Sequence, residues 1–155
     1  MVRIETLRER ALDVMKKVRW LAPLLGRLGV GLLFVSTGWG KVHSIDKVTG
    51  FFTSLGIPAP HFHAILVGYS ELLCGAALIV GLLSRFATVP LIVSMIVAIL
   101  TAKRSDLHGL FDLVGFDEFT YLVVLVMIAI IGPGKASLDA MLVRRLGWRD
   151  ADAEG

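Results

Sequence analysis

The chain is poor in the groups on which most soluble enzymes depend. It carries a single cysteine, Cys74, which excludes an intramolecular disulfide and any relay between paired thiols. Its histidines, His43, His61, His63 and His108, fall in no recognised metal-ligand spacing, and no metal is predicted. His61-Phe-His63 turns both rings to one side only if extended, and to opposite sides in a helix. A glycine-rich phosphate loop, a nucleophile elbow and a haem-type histidine pair inside an apolar run are all missing. Charge is scarce as well, at 19% of residues. The formal net charge is +3, but no basic patch is interleaved with aromatics, so nucleic acid is not an expected partner.

What the chain has in quantity is apolar side chains, 55% of its 155 residues, and they are clustered. Four runs stand out, at residues 21–42, 63–83, 86–102 and 118–134. A bilayer core asks for about 20 helical residues, with ~17 at the short end. The expected fold is therefore all-α, a four-helix transmembrane bundle over residues 21–134. Residues 1–20 form a separate amphipathic helix in this reading, because Ile4, Leu7, Ala11, Val14 and Val18 recur at helical spacing among charged residues. Such a helix suits an anionic membrane surface or a partner helix, and equally reads as a solvated helix that simply leads into the membrane. At the other end, Gly132-Pro-Gly134 stops the fourth helix. Ser137 stands where an N-cap belongs, starting a short interfacial helix through Leu146, with Trp148 as an anchor in the tail to residue 155. Of the loops, 43–62 is expected to run extended at its two prolines, and 103–117 to fold back onto the bundle mouth.

Basic residues set the orientation. Arg3, Arg8, Arg10, Lys16, Lys17, Arg19, Arg85, Lys135, Arg144, Arg145 and Arg149 share one side in a four-span chain. Only Lys47, Lys103 and Arg104, with Lys41 at the border, share the other. The expected location is the inner (cytoplasmic) membrane, multi-pass, with both termini cytoplasmic.

Glu71 is the residue that this composition makes conspicuous. From the start of its apolar run it lies eight residues in, ~12 Å deep at 1.5 Å per residue. An ionised side chain there costs roughly 2.5–3.5 kcal/mol unless protonated or paired. Gly68, Glu71 and Gly75 share one helix face, so another helix can come close to the acid. On the first helix Arg27, Gly31, Phe34, Gly38 and Lys41 form a matching stripe. Lys41 is the first candidate partner for Glu71, with Thr37, Tyr69 and Ser70 as hydrogen-bonding alternatives. Arg27, ~21 Å further along the axis, belongs near the opposite end and is able to snorkel to the headgroups. Two readings follow: the pair fixes helix register, or it lines a polar pocket open to the outer face, for a quinone headgroup, a small ligand or a proton.

Taken together these pieces resemble the DoxX family of small four-helix bacterial membrane proteins, from about Leu21 to Leu142. The resemblance rests on Arg27, Gly38-Trp-Gly-Lys41 and Leu55-Gly-Ile-Pro-Ala-Pro60. It continues through Glu71 with Gly75, Gly81-Leu-Leu-Ser-Arg-Phe-Ala87, Met95, Ala98, Glu118 and Gly132-Pro-Gly-Lys-Ala-Ser-Leu-Asp139. It implies association with quinone-linked oxidation in the membrane. Unlike related enzymes that reduce vitamin K epoxide, this chain has no Cys-x-x-Cys pair. On this reading the chain is a component of a quinone-associated membrane oxidoreductase, needing a redox partner for the electrons. Glu71 and Lys41 bind or protonate the quinone, with Arg27, Thr37, Tyr69, Glu118, His43 and His108 as further ligand-binding candidates. The alternative is a non-enzymatic adaptor that recruits soluble proteins through its termini on the cytoplasmic side. A transporter, which four short helices permit only as a homo-oligomer, is the third.

Overall fold

A computed structural model describes residues 9, 12–134 and 136–146 of the chain. Among these residues every regular element is helical. The helices are α1 (Leu21–Val42), α2 (Ile45–Ser54), α3 (Pro60–Val80), α4 (Ser84–Thr101), α5 (Leu110–Gly115), α6 (Asp117–Ile131) and α7 (Leu138–Leu146). Helices α1, α3 and α4 are long and apolar enough to cross a membrane. The fourth apolar helix, α6, has 15 residues, ~22 Å against a hydrocarbon core of ~30 Å. Residues 12–18 are helical and exposed, as the apolar stripe predicts for that part. The rest of the expected N-terminal helix, Lys135 and the tail with Trp148 lie outside the described residues.

Helix boundaries depart from the apolar runs where backbone chemistry overrides hydropathy. α3 begins at Pro60 rather than His63, because a proline at the first helical position gives up no hydrogen bond. It ends at Val80, where Gly81 adopts φ +73° and its N–H bonds back to Ala77 and Leu78. Leu82 and Leu83 therefore belong to the turn, although they are as apolar as the helix. α6 likewise stops at Gly132, whose φ is +87°. Both long loops hold helices that composition does not reveal. α2 occupies half of 43–62 and packs against α3, and α5 sits just before α6. Phe111 (93% exposed) and Val114 of α5 point outward rather than onto the mouth.

The helices are held in two tight pairs. α1 lies along α3, and α4 along α6, with further contact between α3 and α4 and between α1 and α6. Val30, Phe34, Leu78, Leu91, Met95, Leu125 and Ile128 fill the centre. Glycines set the α1–α3 separation: a Cβ on Gly31 would stand 2.8 Å from Ile79 Cγ1, and one on Gly75 would stand 2.8 Å from the Val35 nitrogen. At Gly38 it would meet the backbone of Leu72, 2.9 Å from its Cα. Small residues at these positions are what brings two helix backbones into contact.

Candidate functional site

That close approach delivers α1's polar face onto Glu71. Gly38, Thr37 and Lys41 sit on one side of the contact and Gly68, Glu71 and Gly75 on the other. Glu71 is 2% exposed. Its Oε2 accepts hydrogen bonds from Lys41 Nζ and, at 2.9 Å, from Thr37 Oγ. Its Oε1 accepts one from Ser94 Oγ of α4 at 3.2 Å. Both oxygens are thus engaged from two other helices. Because α3 starts at Pro60, Glu71 lies eleven residues into its helix, ~16 Å along the axis and deeper than the apolar run alone suggests. A carboxylate at that depth persists because it is paired and hydrogen-bonded.

Above this cluster opens a cavity of about 970 Å³. Glu71, Lys41, Thr37, Ser70 and Ser94 line it, and apolar residues of α1, α2, α3 and α4 form most of its wall. Toward the α6 start it is bordered by Lys103 and Glu118, whose charged groups are 3.8 Å apart, and Lys103 stands 5.6 Å from the centre of the Phe116 ring. The site combines a concave, mostly apolar volume with a few convergent polar groups at one spot, the usual make-up of a ligand site. Chemically it offers two hydroxyls and an ammonium around one carboxylate, able to hold an oxygen and exchange a proton with it. Among the described residues no group of acidic, histidine or cysteine side chains is placed to hold a metal.

The sequence-predicted site residues divide cleanly. Glu71, Lys41, Thr37 and Glu118 border the cavity. Tyr69 is 48% exposed and faces away from it. His43 and His108 are exposed and outside the lining: His43 Nδ1 donates to the Trp39 carbonyl at 2.9 Å, and the backbone N–H of His108 donates to Asp112. The polar lining residues Ser94, Thr101, Lys103, Asp117 and Tyr121 went unread as site residues in the sequence. Ser94 is the one hydroxyl residue between Thr88 and Thr101, an isolation that marks it but names no partner for it.

Arg27 belongs to a different structure at the opposite end of α1. Rather than snorkelling, its side chain is buried (1% exposed). Its Nη1 and Nη2 donate to the carbonyls of Pro133 and Ala136, each at 2.8 Å. Ser137 caps α7 as expected, its Oγ accepting from the Ala140 N–H at 3.1 Å. Asp139 N–H donates to the Gly81 carbonyl, and the Asp139 carboxylate accepts from the Leu83 and Ser84 N–H groups at the start of α4. A Cβ on Gly81 would overlap the Arg27 guanidinium and stand 2.6 Å from Ser137 Cβ. Arg27, the Gly81 turn and the segment after α6 thus form one hydrogen-bonded clasp.

Comparison with known proteins matches the sequence to a family. The DoxX profile matches residues 22–104, a stretch that holds α1, α3, α4 and the whole Glu71 cluster. The chain belongs to the DoxX family. It is similar to the "Uncharacterized membrane protein Rv3486" of Mycobacterium tuberculosis, with 38% identity over 77% of this chain and 80% of that protein. It is also similar to the "Putative oxidoreductase CatD" of Bacillus subtilis, with 31% identity over 84% of this chain and 93% of that one. The "Inner membrane protein YqjF" of Escherichia coli shares 25% identity over 84% and 99%. No solved structure matches the chain. This DoxX protein is accordingly an integral membrane protein, with inner membrane proteins among its relatives.

Proposed function

We propose that this DoxX protein is a quinone-associated component of a membrane oxidoreductase, and that the cavity above Glu71 receives the quinone ring. The observation that carries the reading is a fully engaged carboxylate, 2% exposed, at the floor of an apolar cavity of about 970 Å³. A neutral, flat, lipid-soluble ring with oxygens at its edge fits such a site. Lys41, Thr37 and Ser94 supply donors for one ring oxygen, and Glu71 is the group that takes up or releases its proton. The quinone supplies the two-electron, two-proton chemistry when bound. Electrons come from a partner carrying a flavin or a metal. The name of the Bacillus subtilis relative, an oxidoreductase in its wording, favours the same class.

In this reading α6 completes a fourth crossing, both termini face the cytoplasm, and the cavity lies in the outer half of the membrane. The excess of Lys and Arg at the N-terminal end supports that orientation. A second reading, an adaptor that recruits soluble proteins, draws on residues 12–18, a helix whose Leu12, Val14 and Val18 are all exposed.

The test is mass spectrometry of lipids co-purifying with gently solubilised wild type and Glu71→Gln. Quinone enriched with the wild type and lost from a folded variant is the expected result. A folded wild type without quinone would overturn the proposal in favour of the adaptor.

A further inference from the structure

The cavity is far larger than its polar floor, and its wall opens to the side. On α4 the row Leu91, Met95, Ile99 is buried, and Pro90, Ser94, Ala98 and Thr101 face the cavity together with Met95. Val93 and Val97, on the flank of that face, line the cavity and are 53% and 43% exposed. Across from them on α3, Leu66 does the same at 49%. The two helices are joined at the Gly81–Leu83 turn and bridged by the Ser94–Glu71 hydrogen bond. Around that bridge, Leu66, Val93 and Val97 both line the cavity and are exposed, so they form an apolar edge where it opens. They sit between four and eight residues from the nearer helix end, ~6–12 Å inside two helices long and apolar enough to span. Such an opening at that depth faces hydrocarbon rather than water.

We propose that Leu66, Val93 and Val97 frame a lateral portal through which the isoprenoid tail of a membrane-borne quinone passes, its ring resting at Glu71. The proposal rests on the quinone reading and adds the substrate class, a lipid quinone drawn from the bilayer rather than a water-soluble ring. Three observations select that occupant. The volume of about 970 Å³ stands at the top of the ~300–1,000 Å³ that drug-sized ligands use, so a ring alone underfills it. An apolar portal admits a tail but gives a soluble, hydrated ligand nothing to exchange for its water. The floor pairs one ammonium with one carboxylate, so a fatty acid or phospholipid headgroup would bring an uncompensated charge, which is costly at this depth.

The experiment uses the full chain in lipid nanodiscs with a prenylated benzoquinone bearing a diazirine on its tail, followed by irradiation and peptide mapping. Adducts are expected on Leu66, Val93 and Val97, suppressed about tenfold by excess unlabelled prenylquinone. Val97→Trp, which fills the opening, is expected to remove them to about the same degree. Leu66→Trp supplies an independent block from α3 should that variant misfold. Val89→Trp, exposed on α4 but off the cavity, keeps the adducts. Competed adducts confined to Phe51, Phe52 or Phe116 would mean that the tail leaves by the outer mouth, overturning the portal while the quinone reading stands. Adducts that unlabelled quinone does not compete would overturn both.

Discussion

At the scale of single residues, Glu71 and Lys41 are unequal partners. The Glu71 side chain is 3% exposed and that of Lys41 is 28%. Removing the lysine leaves a buried acid that keeps only hydroxyl donors, whereas removing the acid leaves a lysine near its helix end with a stem long enough to reach the interface. Breaking a buried pair so that its more buried charge is left unpaired costs about 3–5 kcal/mol. Lys41→Met is therefore expected to destabilise the protein markedly more than Glu71→Gln in thermal unfolding in detergent, and Glu71→Leu with Lys41→Met to recover much of the loss. Equal losses in the two single variants would show that burial is not what makes the pair matter. This pair was legible in the sequence because an acid inside an apolar run requires a partner, and one lysine stood at the right place on a neighbouring face. Ser94 was not, since a helical serine can satisfy itself on a carbonyl one turn back and so demands no partner. Arg27 was legible only as a charge near the opposite helix end, free to snorkel, because its acceptors are backbone carbonyls more than a hundred residues away, on a loop whose path hydropathy does not describe.

Among the elements, the α1–α3 pair is the scaffold on which the site depends, and its glycines are not interchangeable. A methyl on Gly38 meets the Leu72 backbone, which cannot rotate aside, while one on Gly40 meets nothing within 4 Å. Gly38→Ala is expected to cost about 1–3 kcal/mol by forcing the helices apart. Gly40→Ala, free of that clash, is expected to be neutral or to gain up to about 1 kcal/mol from helix propensity. Denaturant unfolding in mixed micelles separates the two. A neutral Gly38→Ala would mean that the helices are not in contact there. The glycine spacing on both faces announced this pairing before any coordinates, because period and residue size together mark a close-packed face. The short helices α2 and α5 gave no such signal: α2 packs against α3 without a buried residue of its own, and α5 has six residues and none buried. Asp139 is a further link between elements, since its carboxylate takes the Leu83 and Ser84 N–H groups ahead of α4. Asp139→Ala is expected to lose the ~0.5–2 kcal/mol of a helix cap, read as faster hydrogen exchange at residues 83–86. Unchanged exchange there would dismiss the link.

For the whole molecule, the cavity and the clasp stand at opposite ends, and in the proposed four-crossing topology the clasp is what lets a short α6 complete a crossing. Fifteen helical residues leave ~8 Å of hydrocarbon uncovered. Irregular backbone is tolerated at such depth only where protein satisfies its polar groups. The segment after α6 meets that condition, because Arg27, six residues into α1 and ~9 Å from its start, donates to the Pro133 and Ala136 carbonyls. One buried cation thus serves the loop that helix α6 does not reach to cover. If so, residues before α6 and within α7 face opposite sides of the membrane. In a Cys74→Ala background, Ser105→Cys should react with an impermeant maleimide added to spheroplasts, whereas Arg145→Cys should react only after the membrane is opened. Labelling of both from outside would make α6 a re-entrant helix and remove the fourth crossing. Adding Arg27→Ala sharpens the outcome. With the Pro133 and Ala136 carbonyls left without their donor, the α6–α7 segment should lose its fixed position, and protease should cut between residues 132 and 138 in the variant but not in the parent.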